Sequence, residues 1–295
     1  MTSDRPFRML AALLAVLCLA LTALVAPASA HPGGVAPGAG NGRSNYLALG
    51  DSVAFGFRPG AVTTPAQYAD ASNIVGYPEV VAARPPLRVT NASCPGETSG
   101  SLIDVTIPSN GCENGYRLAF PLHVAYTGSQ LDFAVGFLSS HPSTQLVTIN
   151  VGANDVFLCQ RTTADHCTGS DFAAVLGQVG SHLNTILSTL RGAAGYTHQL
   201  VVLTYYATSY NDPAQVAGTQ ALNNVIVAAA QANGATVADG YTAFQAASAG
   251  AGGEPCAAGL LIALPSGGCD VHPTAAGHQV LADAVAGVLR GAGHG

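Results

Sequence analysis

An apolar run from Tyr46 to Leu49 stops at Gly50-Asp51-Ser52 and gives way to a segment rich in Gly and Pro. Such a run, bounded by a turn signal, reads as a buried strand. A serine at the C-terminal end of the first parallel strand stands where open α/β sheets place their chemistry. If Ser52 opens a helix, its backbone N–H has no helical partner and faces whatever its side chain attacks. One residue then supplies both a nucleophile and an oxyanion donor.

The same pattern, an apolar run ending in a polar cluster, recurs along the chain. Leu87 to Thr90 is a second strand and runs into the turn cluster Asn91 to Ser99, where Gly96 would let backbone approach a ligand. Taken alone, Gly96 is an ordinary turn glycine. Leu146 to Val151 is the strongest strand signal and ends in Gly152-Ala153-Asn154-Asp155. Asn154 could donate two N–H bonds there, or simply make a turn. Leu200 to Tyr205 and Thr236 to Ala238 complete five strands. Between them the spacing predicts helices over 77–83, 129–140, 171–190 (capped by Ser170 or Asp171), 213–233 and 275–289. Residues 99–126 read as irregular and Cys159 to Cys167 as a small stapled excursion. Strands alternating with helices indicate a parallel sheet covered on both faces. His272 falls in a Gly-rich loop before the last helix, kept extended by Pro273, with Thr274 as a fair N-cap. Asp51 and Asp155 read as turn or cap residues, and Tyr205 and Tyr206 as either site or core residues.

Composition sets the compartment. Arg5 and Arg8, an apolar stretch from Leu10 to Val25, and Ala28-Ser29-Ala30 form a secretory signal pattern, cleaved near Ala30. A membrane anchor would need about 20 apolar residues, and this stretch is shorter and breaks at Pro27. Residues 31–44 read as a flexible Gly/Pro/Ala-rich leader, and 45–291 as a single domain. The chain has no Lys, which excludes a Walker-type phosphate loop. Without Asp4, Arg5 and Arg8, the 10 basic and 16 acidic residues become 8 and 15, a net charge of −7, so no basic face for nucleic acid is available. Six cysteines follow the signal: Cys94, Cys112, Cys159, Cys167, Cys256 and Cys269. In an exported chain an even number reads as disulfides, and of the possible pairings we take sequential neighbours, 94–112, 159–167 and 256–269. The rival is a metal site of Cys, Asp270 and His272, which an oxidising compartment disfavours. No metal and no cofactor is expected.

Gly50-Asp51-Ser52, Gly96, Asn154 and Asp270-Val271-His272-Pro273, in that order, resemble the SGNH (GDSL-type) hydrolase family over about Tyr46 to Arg290. Secreted actinobacterial esterases and lipases of that family are the nearest likeness. The resemblance implies a flavodoxin-like three-layer α/β/α sandwich with a five-stranded parallel sheet. It implies Ser52 as acylated nucleophile and His272 as general base, with the Ser52 and Gly96 N–H groups and the Asn154 side-chain amide as oxyanion hole. One departure concerns Asp270. The family's usual Asp lies three residues before the His, and that position is Cys269 here. Either the Asp270 carboxylate or a backbone carbonyl near 269–270 orients the imidazole, and we lean towards the carboxylate.

The expected function is a secreted, monomeric serine hydrolase of small-molecule or lipid carboxylic esters, with no nucleic-acid partner and no stable membrane anchor. Deacetylation of a carbohydrate or cell-wall glycan is the alternative. The lack of Trp, and so of an evident aromatic sugar platform, weighs mildly against it. A non-catalytic surface binding protein on the same scaffold is the third reading. Cys94–Cys112 and Ala247 to Gly253 are the segments expected to wall the substrate.

Overall fold

The computed structural model describes residues 43–84 and 87–291. The signal pattern, its cleavage site and nearly all of the leader lie outside them. From the N-terminal side the elements are β1 (Ser44–Gly50), α1 (Ser52–Phe55), α2 (Pro65–Ala69), α3 (Tyr77–Ala82) and β2 (Leu87–Asn91). There follow α4 (Arg117–Ala119), α5 (Gln130–Ser140), β3 (Leu146–Asn150), α6 (Ala153–Thr162) and α7 (Gly169–Arg191). The C-terminal part holds β4 (Gln199–Leu203), α8 (Pro213–Ala232), β5 (Thr236–Ala238), α9 (Gly240–Ser248), β6 (Leu261–Ala263), β7 (Cys269–Pro273) and α10 (Ala275–Gly291).

β1 to β5 form one parallel sheet in the order β2-β1-β3-β4-β5. The apolar runs are buried on both faces, with Tyr46 to Leu49, Val147, Ile149 and Leu200 to Leu203 all core residues. That burial requires cover on each side. α5, α7 and α8 supply one layer, and α3, α9 and α10 the other. The long helices owe their place to apolar stripes. Val179, Leu183, Ile186, Leu187 and Leu190 of α7 are all buried, at the spacing of one helix face. The result is the α/β/α sandwich with a five-stranded parallel sheet. Its strand order reverses between β1 and β3, and open α/β sheets bind ligands beyond the carboxyl ends of strands at such a point.

The structure refines six local expectations. His272 is not in a loop: it lies in β7, which pairs antiparallel with β6. The turn Pro265 to Gly268, closed by Leu264 N–H to Gly268 O at 3.0 Å, folds the Gly-rich segment back on itself. α7 starts at Gly169 with Thr168 at its N-cap, not at Ser170 or Asp171, because the chain leaves the Cys159–Cys167 bridge directly into the helix. The stapled excursion itself begins inside α6. Residues 99–126 include a wide helical turn, Cys112–Tyr116, that leads into α4. Ala247 to Gly253 is the end of α9 and a 3-10 turn, Ala249–Ala251, and it holds Asn211, whose Nδ2 donates to Gly252 O at 2.7 Å. β1 also reaches back to Ser44, the last residue assigned to the leader.

Gly50 is where the sheet becomes a site. Its φ is +140°, and a Cβ there would sit 2.3 Å from the Asn150 carbonyl of the neighbouring strand. Only glycine fits, because backbone and not a movable side chain occupies the space. Gly50→Ala is expected to cost about 3 kcal/mol or more, as overpacking and strain combine. Denaturant melts check this, and a loss below about 0.5 kcal/mol would show that the strand pair gives way freely.

Candidate active site

Ser52 opens α1, as an N-terminal position requires, and is 9% exposed. Asp51 is the N-cap, and its Oδ1 accepts from Val53 N–H at 2.9 Å. Its other oxygen, Oδ2, accepts from the Tyr205 hydroxyl at 2.5 Å. The cap is therefore tied across the sheet to the residues just beyond β4. Gly56 then ends the single turn in a left-handed conformation. Phe57 N–H donates to Ser52 O at 3.0 Å, and the Phe57 ring meets the His272 imidazole edge-on with centroids 5.1 Å apart. Ser52 and His272 thus flank the same phenylalanine, although 220 positions separate them in the chain numbering.

His272 is half-buried in β7. Its Nδ1 is hydrogen-bonded to Asp270 Oδ1, and the same oxygen accepts from the His272 backbone N–H at 3.0 Å. That hydrogen bond to the imidazole holds the Asp270 carboxyl below the usual carboxylate range. The ribbon is anchored twice more. Cys269 is bridged to Cys256, and the Tyr206 hydroxyl donates to Val271 O at 2.7 Å. An Nδ1–H committed to a carboxylate leaves Nε2 as the ring's lone-pair nitrogen, able to take a proton.

Gly96 and Asn154 come together through a residue the sequence did not point to. Asn110 N–H donates to Gly96 O at 2.8 Å, and Asn110 Nδ2 donates to Asn154 Oδ1 at 2.7 Å. Asn154 is 6% exposed and is the second residue of α6. Gly96 has φ +85°, and a Cβ on it would meet Asn110 O, Cys112 N and Gly111 C, each at 2.9 Å. Among the described residues, the Ser52 and Gly96 N–H groups and Asn154 Nδ2 donate to no protein acceptor. These three donors follow the ends of β1, β2 and β3.

Long-range polar contacts weld these turns together. Gln130, at the start of α5, accepts from Gly50 N–H at 2.9 Å and donates to Gly50 O at 2.8 Å. Its Nε2 also reaches Glu97 Oε2 at 2.5 Å, and Cys94 N–H donates to Gly50 O at 3.0 Å. Burial pushes the Glu97 carboxyl up, and the nearby Glu113 carboxyl adds to the shift. Asp155 accepts from the Ser99 N–H at 2.8 Å and from its hydroxyl at 2.6 Å, joining α6 to the Gly96 loop. The bridges are Cys94–Cys112, Cys159–Cys167 and Cys256–Cys269. They bear on the metal question. Cys94, Cys112 and Glu97 lie close enough to share an ion, but both sulfurs are in a disulfide, and a metal site needs thiolates. Cys269 is likewise oxidised, which removes it from a site with Asp270 and His272.

Asp51 carries a pH signature. Burial raises its carboxyl from 3.8 to about 6, against the pull of the Tyr205 and Val53 hydrogen bonds. Below pH 4 it is protonated in the folded and unfolded chain alike. Between about 4 and 6 the unfolded carboxyl ionises while the folded one keeps its proton, so this group's contribution to stability is lost as pH rises through that window. Asn caps helices equally well. Asp51→Asn is therefore expected to gain about 2 kcal/mol relative to wild type between pH 4 and pH 7. Denaturant melts of both proteins at the two pH values read this, and a pH-independent difference would contradict it.

The GDSL-like lipase/acylhydrolase family model matches residues 48–280, from β1 into α10. No curated protein matches the chain in sequence. Among solved structures, phospholipase A1 from Streptomyces albidoflavus NA297 is similar with a TM-score of 0.53 at 23% identity, over 83% of this chain and 99% of that one. The acetylxylan esterase Axe2 from Geobacillus stearothermophilus gives 0.52 at 18% identity, over 82% and 92%. The lipase Lip_vut3 from a goat rumen metagenome gives 0.54 at 15% identity, over 85% and 98%. At these identities the likeness establishes the fold. The family match over most of the chain establishes the rest: the chain belongs to the GDSL-like lipase/acylhydrolase family and is a carboxylic ester hydrolase.

Proposed function

We propose that the protein is a secreted serine esterase that cleaves lipid-type or small acyl esters through an acyl-enzyme on Ser52. The observation that carries the reading is the Asp270–His272 pair, held by its ribbon against the phenylalanine that follows the Ser52 turn. Ser52 Oγ attacks the ester carbonyl carbon while His272 Nε2 takes its proton. The carbonyl electrons move to oxygen, which the Ser52 and Gly96 N–H groups and Asn154 Nδ2 receive. Collapse of this intermediate breaks the bond to the alcohol oxygen, and the imidazolium returns the proton to that leaving group. Water, deprotonated by the same imidazole, then releases the acid and regenerates Ser52. Asp270 holds the imidazole in the Nδ1–H tautomer and stabilises its charged form.

An apolar acyl group is supported by the surroundings of His272. Phe57 belongs to an aromatic cluster with Tyr68, Tyr116 and Phe120, in which Tyr68 and Phe120 lie 4.6 Å apart. Tyr68 and Tyr116 are buried, and the partly exposed Phe57 and Phe120 rings offer contact area to a hydrocarbon chain. Export is supported by the N-terminal signal pattern and by three disulfides in the domain, which oxidising surroundings maintain. Among the described residues no helix is long and apolar enough to cross a membrane. In this reading residues 1–30 are removed and 45–291 act as a single catalytic domain.

Hydrolysis of p-nitrophenyl esters from acetyl to palmitoyl, with Ser52→Ala as the blank, tests the proposal. Turnover by the wild type alone is expected, with longer chains preferred. An acetyl optimum would favour glycan deacetylation instead, and no turnover on any ester would overturn the mechanism. Asn154→Ala is expected to lose ~10²–10³ in kcat with an unchanged melting temperature. Asp270→Asn is expected to lose ~10³–10⁴, and a near-normal rate would remove its carboxylate from the mechanism.

A further inference from the structure

An amide side chain has two nearly isosteric orientations, related by a half-turn about its last bond. For Asn154 they are opposite in consequence. One offers N–H to a developing oxyanion, and the other offers C=O, which repels it. Neither shape nor packing distinguishes them strongly, so a neighbour must read the polarity of the amide.

Asn110 is that neighbour. Its Nδ2 bears hydrogens and no lone pair for accepting, so its 2.7 Å bond can be made only to Asn154 Oδ1. With the oxygen engaged there, Asn154 Nδ2 is turned to the other side. Among the described residues this is the only hydrogen bond of the Asn110 side chain, and Asn110 Oδ1, buried, has no partner. A buried acceptor left unpaired is a standing cost. The Asn110 backbone supports the same geometry, because its N–H holds Gly96 O at 2.8 Å. Two residues on, Cys112 fixes the loop to Cys94.

We propose that Asn110 is a positioning residue for ester hydrolysis: it sets the amide orientation of Asn154, so that the oxyanion hole has its side-chain donor before substrate arrives. The inference rests on the reading of Asn154 as an oxyanion donor, and its test separates the two. The experiment is a double-mutant cycle on the full chain, with kcat and KM measured on one p-nitrophenyl ester and thermal melts on every variant. Asn110→Ala is expected to lower kcat about tenfold, the weight of one hydrogen bond, with KM unchanged. In an Asn154→Ala background the same substitution should change kcat by less than about twofold, because no amide remains to be oriented. Equal losses in both backgrounds would make Asn110 a merely structural residue and overturn the proposal.

Asn110→Asp is the second variant and serves if Asn110→Ala fails to fold. A carboxylate can only accept, so it would draw Asn154 Nδ2 away from the site, and a kcat loss of ~10²–10³, equal to removal of the donor, is expected. Wild-type turnover by Asn110→Asp would overturn the proposal. If Asn154→Ala itself turns over normally, the oxyanion reading fails first. If Asn154→Ala is impaired while both Asn110 variants are normal, only the role of Asn110 is lost.

Discussion

The pair of hydrogen bonds that Gln130 makes to Gly50 is the contact on which the arrangement of the site depends. Gly50 ends a buried strand, and its φ of +140° turns the chain into α1. Its C=O accepts from Cys94 N–H at 3.0 Å, while its N–H finds its partner outside the strands, and burying that donor unpaired would be costly. Gln130 satisfies both with one amide, at 2.9 Å and 2.8 Å. The same amide reaches Glu97, next to Gly96. A single side chain from α5 thereby fixes the start of the Ser52 helix relative to the loop that carries a second backbone donor. Displacing it would free two turns at once.

The site is otherwise a set of short, buried polar links between strand ends. Tyr205 holds Asp51 and Tyr206 holds Val271, so adjacent residues after β4 set the level of the nucleophile turn and of the histidine ribbon. Their rings are buried, and Tyr206 stacks on Phe244 of α9 with centroids 4.1 Å apart. A hydroxyl on a ring so confined has little freedom, which makes it a good spacer. Asp155 and Ser99 do the same between α6 and the Gly96 loop. In low dielectric such links are strong when complete and expensive when broken, which favours one arrangement of the site over its neighbours. The turns that carry Ser52, Asn154 and His272 are thus held by hydrogen bonds that are themselves shielded from water.

What could be read in the sequence was whatever has a local signature. The five sheet strands announce themselves as apolar runs, α7 and α8 as periodic stripes, Ser52, Gly96 and Asn154 as turn residues after strands, and His272 as the residue ahead of the last helix. The supports of the site have no such mark. Gln130 acts 80 positions away from Gly50, Tyr205 acts 154 away from Asp51, and Asn110 acts 44 away from Asn154. Nothing in the composition near those residues distinguishes a clasp from a solvated amide or a core tyrosine. The β6–β7 ribbon escaped notice for another reason. Its strands are short, its turn is Gly-rich, and one of them carries Asp270, Val271 and His272, a pattern that reads as loop. α9 was obscured by the alanines and glycines that continue past its end.

Two of the three disulfides close directly on the reactive edge of the molecule. Cys94–Cys112 encloses both Gly96 and Asn110, and Cys256–Cys269 ends one residue before Asp270. The main apolar core has Cys269 at its margin, and Cys94 and Cys112 belong to a second, smaller cluster. The two bridges hold turns at the edge of the sheet, and the apolar core holds the sheet itself. Reduction would release the Gly96 loop and the His272 ribbon from their staples.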